Sequence, residues 1–363
     1  MTKDRVAKIR EIIKKENASA FLIVNHEYSG QPGTHYLSGF SGSESILVIT
    51  ETEETIFTDG RYFAQIKEEC ANCTLVPFER FSPIKQLVSF LGKSAPQKIL
   101  LDSSRTTFDI VEQLKENLKG VDVKGVRNIL QEIRITKEDE EVKAIQEATN
   151  IAATAFEKLL TQIKEGQTEI ELACKLEALM REGGADKISF DTIVVSGVNG
   201  AKPHGKPSSK AIEKGELITF DFGCFKDGYA SDTTRTIALG EPAPKLKEIY
   251  EVVKESQELG CQKARAGMTG GELDAICRNY IKEKGYGEYF LHSTGHGLGM
   301  EVHELPYVSG SHNAPLLENS VITIEPGIYI EGLGGVRIED AVLLKKDGIQ
   351  NLSHSLSKEL III

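Results

Sequence analysis

The sequence has 363 residues, 43 of them basic and 54 acidic, which gives a net charge of −11 at pH 7. A chain of this length is expected to form about two domains, and 40% apolar with 27% charged residues is the composition of a soluble globular protein, not a disordered one. The acidic balance, with no run of Lys and Arg, excludes general attraction to a phosphate backbone, so nucleic acid is not an expected partner.

The opening Met1-Thr2-Lys3-Asp4-Arg5 leads into a charged helical pattern and not an apolar signal core. Apolar runs are short, such as Ile46-Leu47-Val48-Ile49, against the ~20 residues that span a bilayer. A cytoplasmic protein with no membrane partner is expected, and its six cysteines read as reduced thiols. Cys70 and Cys73 form a CxxC, but a structural zinc site needs two further ligands at matching spacing.

In chain order, Val6, Ile9, Ile12 and Ile13 predict an amphipathic first helix. Strand-like runs follow at 20–24, 45–49, 55–58 and 98–102, with a helical stretch from Ile84 to Leu91. No catalytic constellation stands out here. Near Ile135 the character changes. Thr136 ahead of Lys137-Glu138-Asp139-Glu140 predicts a helix N-cap with acids in the first turn, followed by apolar residues at helical spacing from Val142 to Ile163. The boundary is placed between about 125 and 136, giving domains 1–130 and 131–363.

The second half contains a weak repeat. A GxTxxEL pattern at Gly166 recurs at Gly267, and Leu217-Ile218-Thr219-Phe220-Asp221-Phe222-Gly223 parallels Val321-Ile322-Thr323-Ile324-Glu325-Pro326-Gly327. Two similar α/β halves related by pseudo-symmetry would set Asp221 and Glu325 on facing strands, with a site at their junction. Asp221 and Asp232 flank a tight turn. A loop at Lys226-Asp227 pairs them directly, whereas a loop at Asp227-Gly228 shifts the register by two, and either way they share a sheet face. Carboxylates so close repel one another when ionised, and a cation between them resolves the repulsion. Glu325 and Glu339 also lie in apolar, β-branched strands where an unpaired carboxylate is costly. The glycines around His296 argue against a helical His292/His296 pair and leave the imidazole accessible. Carboxylates with one imidazole suit Mn²⁺, Co²⁺ or Fe²⁺ better than a thiolate-rich zinc site does.

Taken together, Asp221-Phe222-Gly223, Ser231-Asp232-Thr233-Thr234-Arg235, Gly295-His296-Gly297-Leu298-Gly299, Val302-His303-Glu304, Glu325-Pro326-Gly327 and Val336-Arg337-Ile338-Glu339-Asp340 resemble the pita-bread metallopeptidases, within them the Xaa-Pro branch of aminopeptidase P and prolidase. Gly39-Phe40-Ser41-Gly42-Ser43 and Thr58-Asp59-Gly60-Arg61-Tyr62 are similar to the creatinase-like N-terminal domain, so the resemblance covers essentially the whole chain. It implies an α/β (α+β) fold, a pseudo-twofold pita-bread catalytic domain behind a creatinase-like α/β domain, and a homodimer.

Carried over by motif, the resemblance implies that Asp221 chelates one metal ion, that Asp232 and Glu339 bridge two, and that His296 and Glu325 complete the second. Two divalent cations are implied, Mn²⁺ or Co²⁺ ahead of Fe²⁺ or Zn²⁺. His204 matches the substrate-side histidine and His303 the one that contacts the reacting peptide. His292, Tyr307 and Arg337 are the further substrate-binding candidates, while Tyr229, His292 and His312 are each at least as readily structural. The chemistry implied is metal-assisted hydrolysis of peptides with proline at the second position, Glu325 carrying the proton to the leaving proline nitrogen.

A methionine aminopeptidase shares the ligands but needs no extra N-terminal domain, and a metal-free pita-bread binding protein would not keep all five ligand positions. Between the two Xaa-Pro activities, a strict dipeptidase needs a cation for the substrate's terminal carboxylate. Prolidases that resemble this chain often carry an arginine where Tyr307 stands, so aminopeptidase P is the expected activity and Xaa-Pro dipeptidase the alternative. Arg61 and Arg80 are other cations that could serve.

Overall fold

Runs of three or four Ile, Val, Leu and Phe residues are too brief for helices and too uniformly apolar for a strand with a wet face, so they favour a sheet covered on both sides. That is what the first third of the chain builds. The computed structural model describes residues 2–27, 30–79, 83–94 and 96–363 and divides into two units, Met1–Ile133 and Arg134–Ile363. In the first, strands β1 (Ala20–Asn25), β2 (Ser45–Thr50), β3 (Glu54–Thr58), β4 (Thr74–Pro77), β5 (Lys98–Asp102) and β6 (Asp122–Val126) form one sheet in the order β4-β3-β2-β1-β5-β6. β1 runs parallel to β5 and antiparallel to β2. Its six residues are all buried. The connecting helices are α1 (Thr2–Lys15), α2 (Pro32–Ser38), α3 (Phe63–Glu69), α4 (Pro83–Ser94), α5 (Phe108–Asn117) and α6 (Ile129–Glu132). Apolar faces such as Ile9 and Ile13 of α1 and Leu87 and Leu91 of α4 are buried.

The second unit repeats one plan twice. Helices α7 (Asp139–Leu160) and α8 (Glu169–Glu182) precede β7 (Lys187–Ile188), β8 (Ile193–Ser196), β9 (Glu216–Phe222), β10 (Cys224–Lys226), β11 (Tyr229–Ala230) and β12 (Thr233–Leu239). Helices α9 (Pro244–Lys263) and α10 (Gly270–Glu283) precede β13 (Gly295–Gly297), β14 (Glu304–Val308), β15 (Val321–Ile324), β16 (Gly327–Ile330), β17 (Gly334–Arg337), β18 (Asp340–Lys345) and β19 (Gly348–Asn351). The GxTxxEL repeat has a direct physical meaning. Thr168 caps α8 and Thr269 caps α10, each accepting from the N–H of the glutamate three residues on, whose carboxylate answers the threonine N–H. Each half has its own core, one around Phe156, Phe220 and Phe222 and the other around Ile249, Leu273 and Ile324.

One local expectation is corrected and one open choice is decided. α7 is capped by Glu138 in a box with Glu141, whereas Thr136 bridges to Ser320. The cap therefore starts two residues later, because Thr136 is drawn into β pairing. The turn after β10 uses Asp227-Gly228, both at positive φ, as a tight hairpin favours. Asp221 consequently pairs with Thr234 and not Asp232, although the shift by two keeps both acids on one face.

Phe156 of α7 stacks on Phe222 at 5.0 Å and meets Phe220 edge-on at 5.4 Å, with 1% of its surface exposed. Phe156→Ala is expected to destabilise the second unit by about 3–5 kcal/mol. Urea unfolding followed by circular dichroism checks this, and a change below about 1 kcal/mol would mean the aromatic cluster does not organise this half.

Candidate metal centre

A cavity of about 800 Å³ in the second unit has Asp221, Asp232, His296, Glu325 and Glu339 on its wall. β9 supplies Asp221, the β11–β12 connection Asp232, β13 His296, the end of β15 Glu325 and the β17–β18 connection Glu339. Thus both halves contribute. One ligand atom each from Asp232, His296 and Glu339 lies within 4.8 Å of the other two. His296 Nε2 is 3.6 Å from Asp232 Oδ2 and 3.3 Å from Glu325 Oε1.

These positions follow from close backbone packing. A Cβ on Gly295 would stand 2.0 Å from the Thr323 carbonyl oxygen, and one on Gly297 would stand 2.3 Å from that of Leu305. Only glycine on either side of His296 lets β13 lie between β14 and β15. His296 Nδ1 faces its neighbour Gly297's carbonyl at 3.1 Å, which turns Nε2 toward the carboxylates, the usual support for a ligating imidazole. Thr234 donates to Glu339 Oε2 at 2.7 Å, and Thr323 donates to Glu325 Oε1 at 3.2 Å.

The electrostatics are those of an acid cluster that cannot fully ionise. Burial first, then Glu339, Asp221 and Glu325, pushes the Asp232 carboxyl well above its ordinary range. Burial followed by Glu325 and Asp221 does the same to Glu339. Burial also raises Asp221, with Arg337 pulling the other way. Glu325 is the exception. Burial works against its ionised form, but the hydrogen bond and charge of His296 outweigh it and hold the carboxyl at about 2. Asp221 Oδ1 is buried with no hydrogen-bond partner. An orphaned carboxylate oxygen, three clustered ligand atoms and an oxygen-rich donor set with one imidazole fit a pair of hard divalent cations.

Around this cluster stand the other residues singled out in the sequence. His204, His292, His303, Tyr307 and Arg337 all line the cavity. The His303 ring centroid is 4.1 Å from that of His296, and burial, reinforced by His296, lowers its pKa to about 4. It is therefore neutral near pH 7. His292 hydrogen-bonds with the Tyr329 hydroxyl at 2.8 Å. Arg337 is fully engaged, donating to Asp221 Oδ2 at 2.6 Å, Tyr329 Oη at 2.8 Å, Thr234 Oγ1 at 3.0 Å and the Pro203 carbonyl at 3.1 Å. Tyr307 is 46% exposed on the rim. Tyr229 and His312 do not line the cavity. The Tyr229 hydroxyl donates to Glu141, and His312 packs edge-on against Tyr307. Arg61 is held by Asp59 and Glu27, and Arg80 lies outside the described residues.

Sequence reading missed the side chains behind these. Asp274 accepts from Thr294 N–H and Oγ1 and from Arg278, which also donates to the His292 carbonyl at 2.7 Å. The clamp fixes the segment entering His296. Glu304, immediately after His303, is buried in an ion pair with Lys137 at 2.7 Å, with Arg134 3.5 Å away. The missed lysine that matters most is Lys206, an exposed member of the cavity wall whose ammonium engages no carboxylate among the described residues.

Residues 143–346 match metallopeptidase family M24, and residues 5–136 match the creatinase/prolidase N-terminal domain. The chain belongs to metallopeptidase family M24. It is 41% identical over 359 residues to a Xaa-Pro dipeptidase of Pyrococcus horikoshii, covering 99% of each chain. Among solved structures it is similar to a Xaa-Pro dipeptidase from Bacillus anthracis, with a TM-score of 0.95 and 38% identity over 100% of both chains. It is likewise similar to an X-Pro aminopeptidase from Thermotoga maritima, with a TM-score of 0.90 and 39% identity over 96% of this chain and 98% of the other. The expected α/β metallopeptidase fold with a creatinase-like N-terminal domain is therefore established. No described helix is long and apolar enough to cross a membrane.

Asp232→Asn should lower bound metal without unfolding the protein, since an amide keeps the shape but loses the charge. Full metal content by elemental analysis would remove Asp232 from the ligand set. His296→Ala should also release metal, whereas His303→Ala should keep it and lose about 10²–10³-fold in turnover. Equal metal loss in these two histidine variants would show that their roles are misassigned.

Proposed function

We propose that the protein is a Xaa-Pro dipeptidase using two divalent ions, Mn²⁺ or Co²⁺, held by Asp221, Asp232, His296, Glu325 and Glu339. When bound, such ions polarise the scissile carbonyl and supply a nucleophile at neutral pH. The chain's own groups do the rest. A Xaa-Pro amide has no N–H, so its nitrogen must gain a proton as the bond breaks, and Glu325 carries that proton. Neutral His303 donates to the carbonyl oxygen, and His204 approaches from the substrate side. Arg337 holds Asp221 in place by charge-assisted bonding.

This reading departs from the aminopeptidase P expectation, which rested on Tyr307 standing where a carboxylate-binding arginine would be. Relatives named Xaa-Pro dipeptidase support the change. The observation that carries it is Lys206, a free ammonium on the wall of a cavity whose other guanidinium or ammonium, on Arg337, is already engaged. A lysine on a flexible four-carbon stem can meet a terminal carboxylate from a different sequence position.

The test compares Ala-Pro with Ala-Pro-Ala in the Mn²⁺-loaded enzyme, and the dipeptide should be the better substrate. Cleavage of the tripeptide alone would restore the aminopeptidase. Lys206→Met should raise KM for Ala-Pro about 10-fold, the equivalent of about 1.4 kcal/mol. It should leave Ala-Pro amide, which lacks the carboxylate, unchanged. Equal effects on both would remove Lys206 from carboxylate recognition.

A further inference from the structure

Glu169 is the first residue of α8 and is completely buried. The helix does not need it as a cap, because Thr168 and Glu171 already satisfy the first turn between them. Nor does it form an ion pair among the described residues. Its carboxylate is instead saturated by hydrogen bonds from one loop. Oε1 accepts from Ser196 N at 2.7 Å, Ser196 Oγ at 3.0 Å and Asn199 Nδ2 at 3.2 Å. Oε2 accepts from Ser208 Oγ at 2.6 Å, Ser208 N at 3.0 Å and Asn199 Nδ2 at 3.3 Å. Backbone and side-chain donors at both ends of the segment thus converge on one anion. An uncompensated buried carboxylate is costly, so these donors and the positive end of α8 are what keep it there.

Between Ser196 and Ser208 lie Pro203, His204, Gly205, Lys206 and Pro207, all on the cavity wall. Arg337 holds the middle of the loop through the Pro203 carbonyl at 3.1 Å. His204 itself projects from this frame with an exposed side chain and no hydrogen bond of its own among the described residues. Its placement is therefore set by the backbone beneath it.

We infer that Glu169 is a positioning residue of the active site, acting through His204 by fixing both ends of the 197–207 loop. The inference rests on the proposed peptidase reading for its kinetic consequence but not for its structural one. Glu169→Gln keeps the shape and turns an NH₂ group toward donors at one end, which unfastens that end.

With metal content unchanged, kcat/KM for Ala-Pro should fall about 10- to 100-fold in Glu169→Gln, as loss of positioning does. In the His204→Ala background the same change should cost little more, because coupled residues are non-additive. Ser208→Ala removes a single anchor and should give a smaller loss with the same non-additivity, should Glu169→Gln fail to fold. NMR of ¹³C-labelled histidines gives a readout independent of turnover. The His204 resonance, identified by its absence in His204→Ala, should shift or split in Glu169→Gln while that of His354 stays. An unmoved His204 resonance, equal losses in both backgrounds, or loss of metal in place of coupling would each overturn the inference. Failure of the wild-type enzyme to cleave any Xaa-Pro peptide, with the resonance still shifted, would overturn the functional reading and leave the positioning role standing.

Discussion

Four carboxylates on one wall of one cavity are the constraint from which the second unit's design follows. Asp221, Asp232, Glu325 and Glu339 cannot all ionise in a poorly solvated place without compensation. Within the protein the compensation is one guanidinium, Arg337, and one imidazole, His296. That leaves at least two negative charges unmatched. Burial first, and then this deficit, raises the Asp232 and Glu339 carboxyls well above their ordinary range. Divalent cations are the remedy that the donor chemistry suits, and membership of a metallopeptidase family points to bound metal as well.

Holding such a cluster against its own repulsion requires rigid supports, and the two halves supply them in parallel. Each sets a helix with a capping box behind the cavity, and each sends a buried acid from that helix into a loop that reaches the site. In the first half the acid is Glu169, gathering Ser196, Asn199 and Ser208. In the second it is Asp274, gathering Thr294 and Arg278 just before His296. The two acids are not at equivalent repeat positions, so the halves reach the same mechanical solution with different residues.

Much of this was legible in the sequence because it has local signatures. Glycines on both sides of His296 argue against a helix there and leave its imidazole accessible, and the recurring GxTxxEL pattern marks two similar halves. Acids inside β-branched runs announce a charge that must be matched. Four of the six strands of the first unit were equally plain, being apolar runs, whereas β4 and β6, with exposed and half-buried residues, carried no such signal. What was not legible has its partners far away in the chain. Thr136 has the chemistry of an N-cap, but pairing with Ser320 takes it elsewhere. Glu169 looks like an ordinary first-turn acid on an amphipathic helix, and only the fold brings Ser208 to it. Lys137 gives no hint that it is buried against Glu304, 167 residues on.

Lys206 and Tyr307 mark the sharpest limit of motif reasoning. A motif position identifies where a relative keeps its cation, but recognition of a carboxylate requires only that a positive charge reach it. Loop 197–207 brings Lys206 onto the same wall as Tyr307, so the charge can be supplied from the first half of the domain, not the second. The exchange is not neutral in kind. An arginine offers a planar fork matched to a carboxylate, whereas a lysine offers a mobile, strongly hydrated point charge. Selection for dipeptides by this lysine would thus rest on charge more than on geometry, and screening by salt would weaken it where a buried bidentate pair would persist. In the proposed reading anchoring by Glu169 matters twice, since the loop that carries His204 onto the cavity wall is also the base from which Lys206 would reach the substrate's other end.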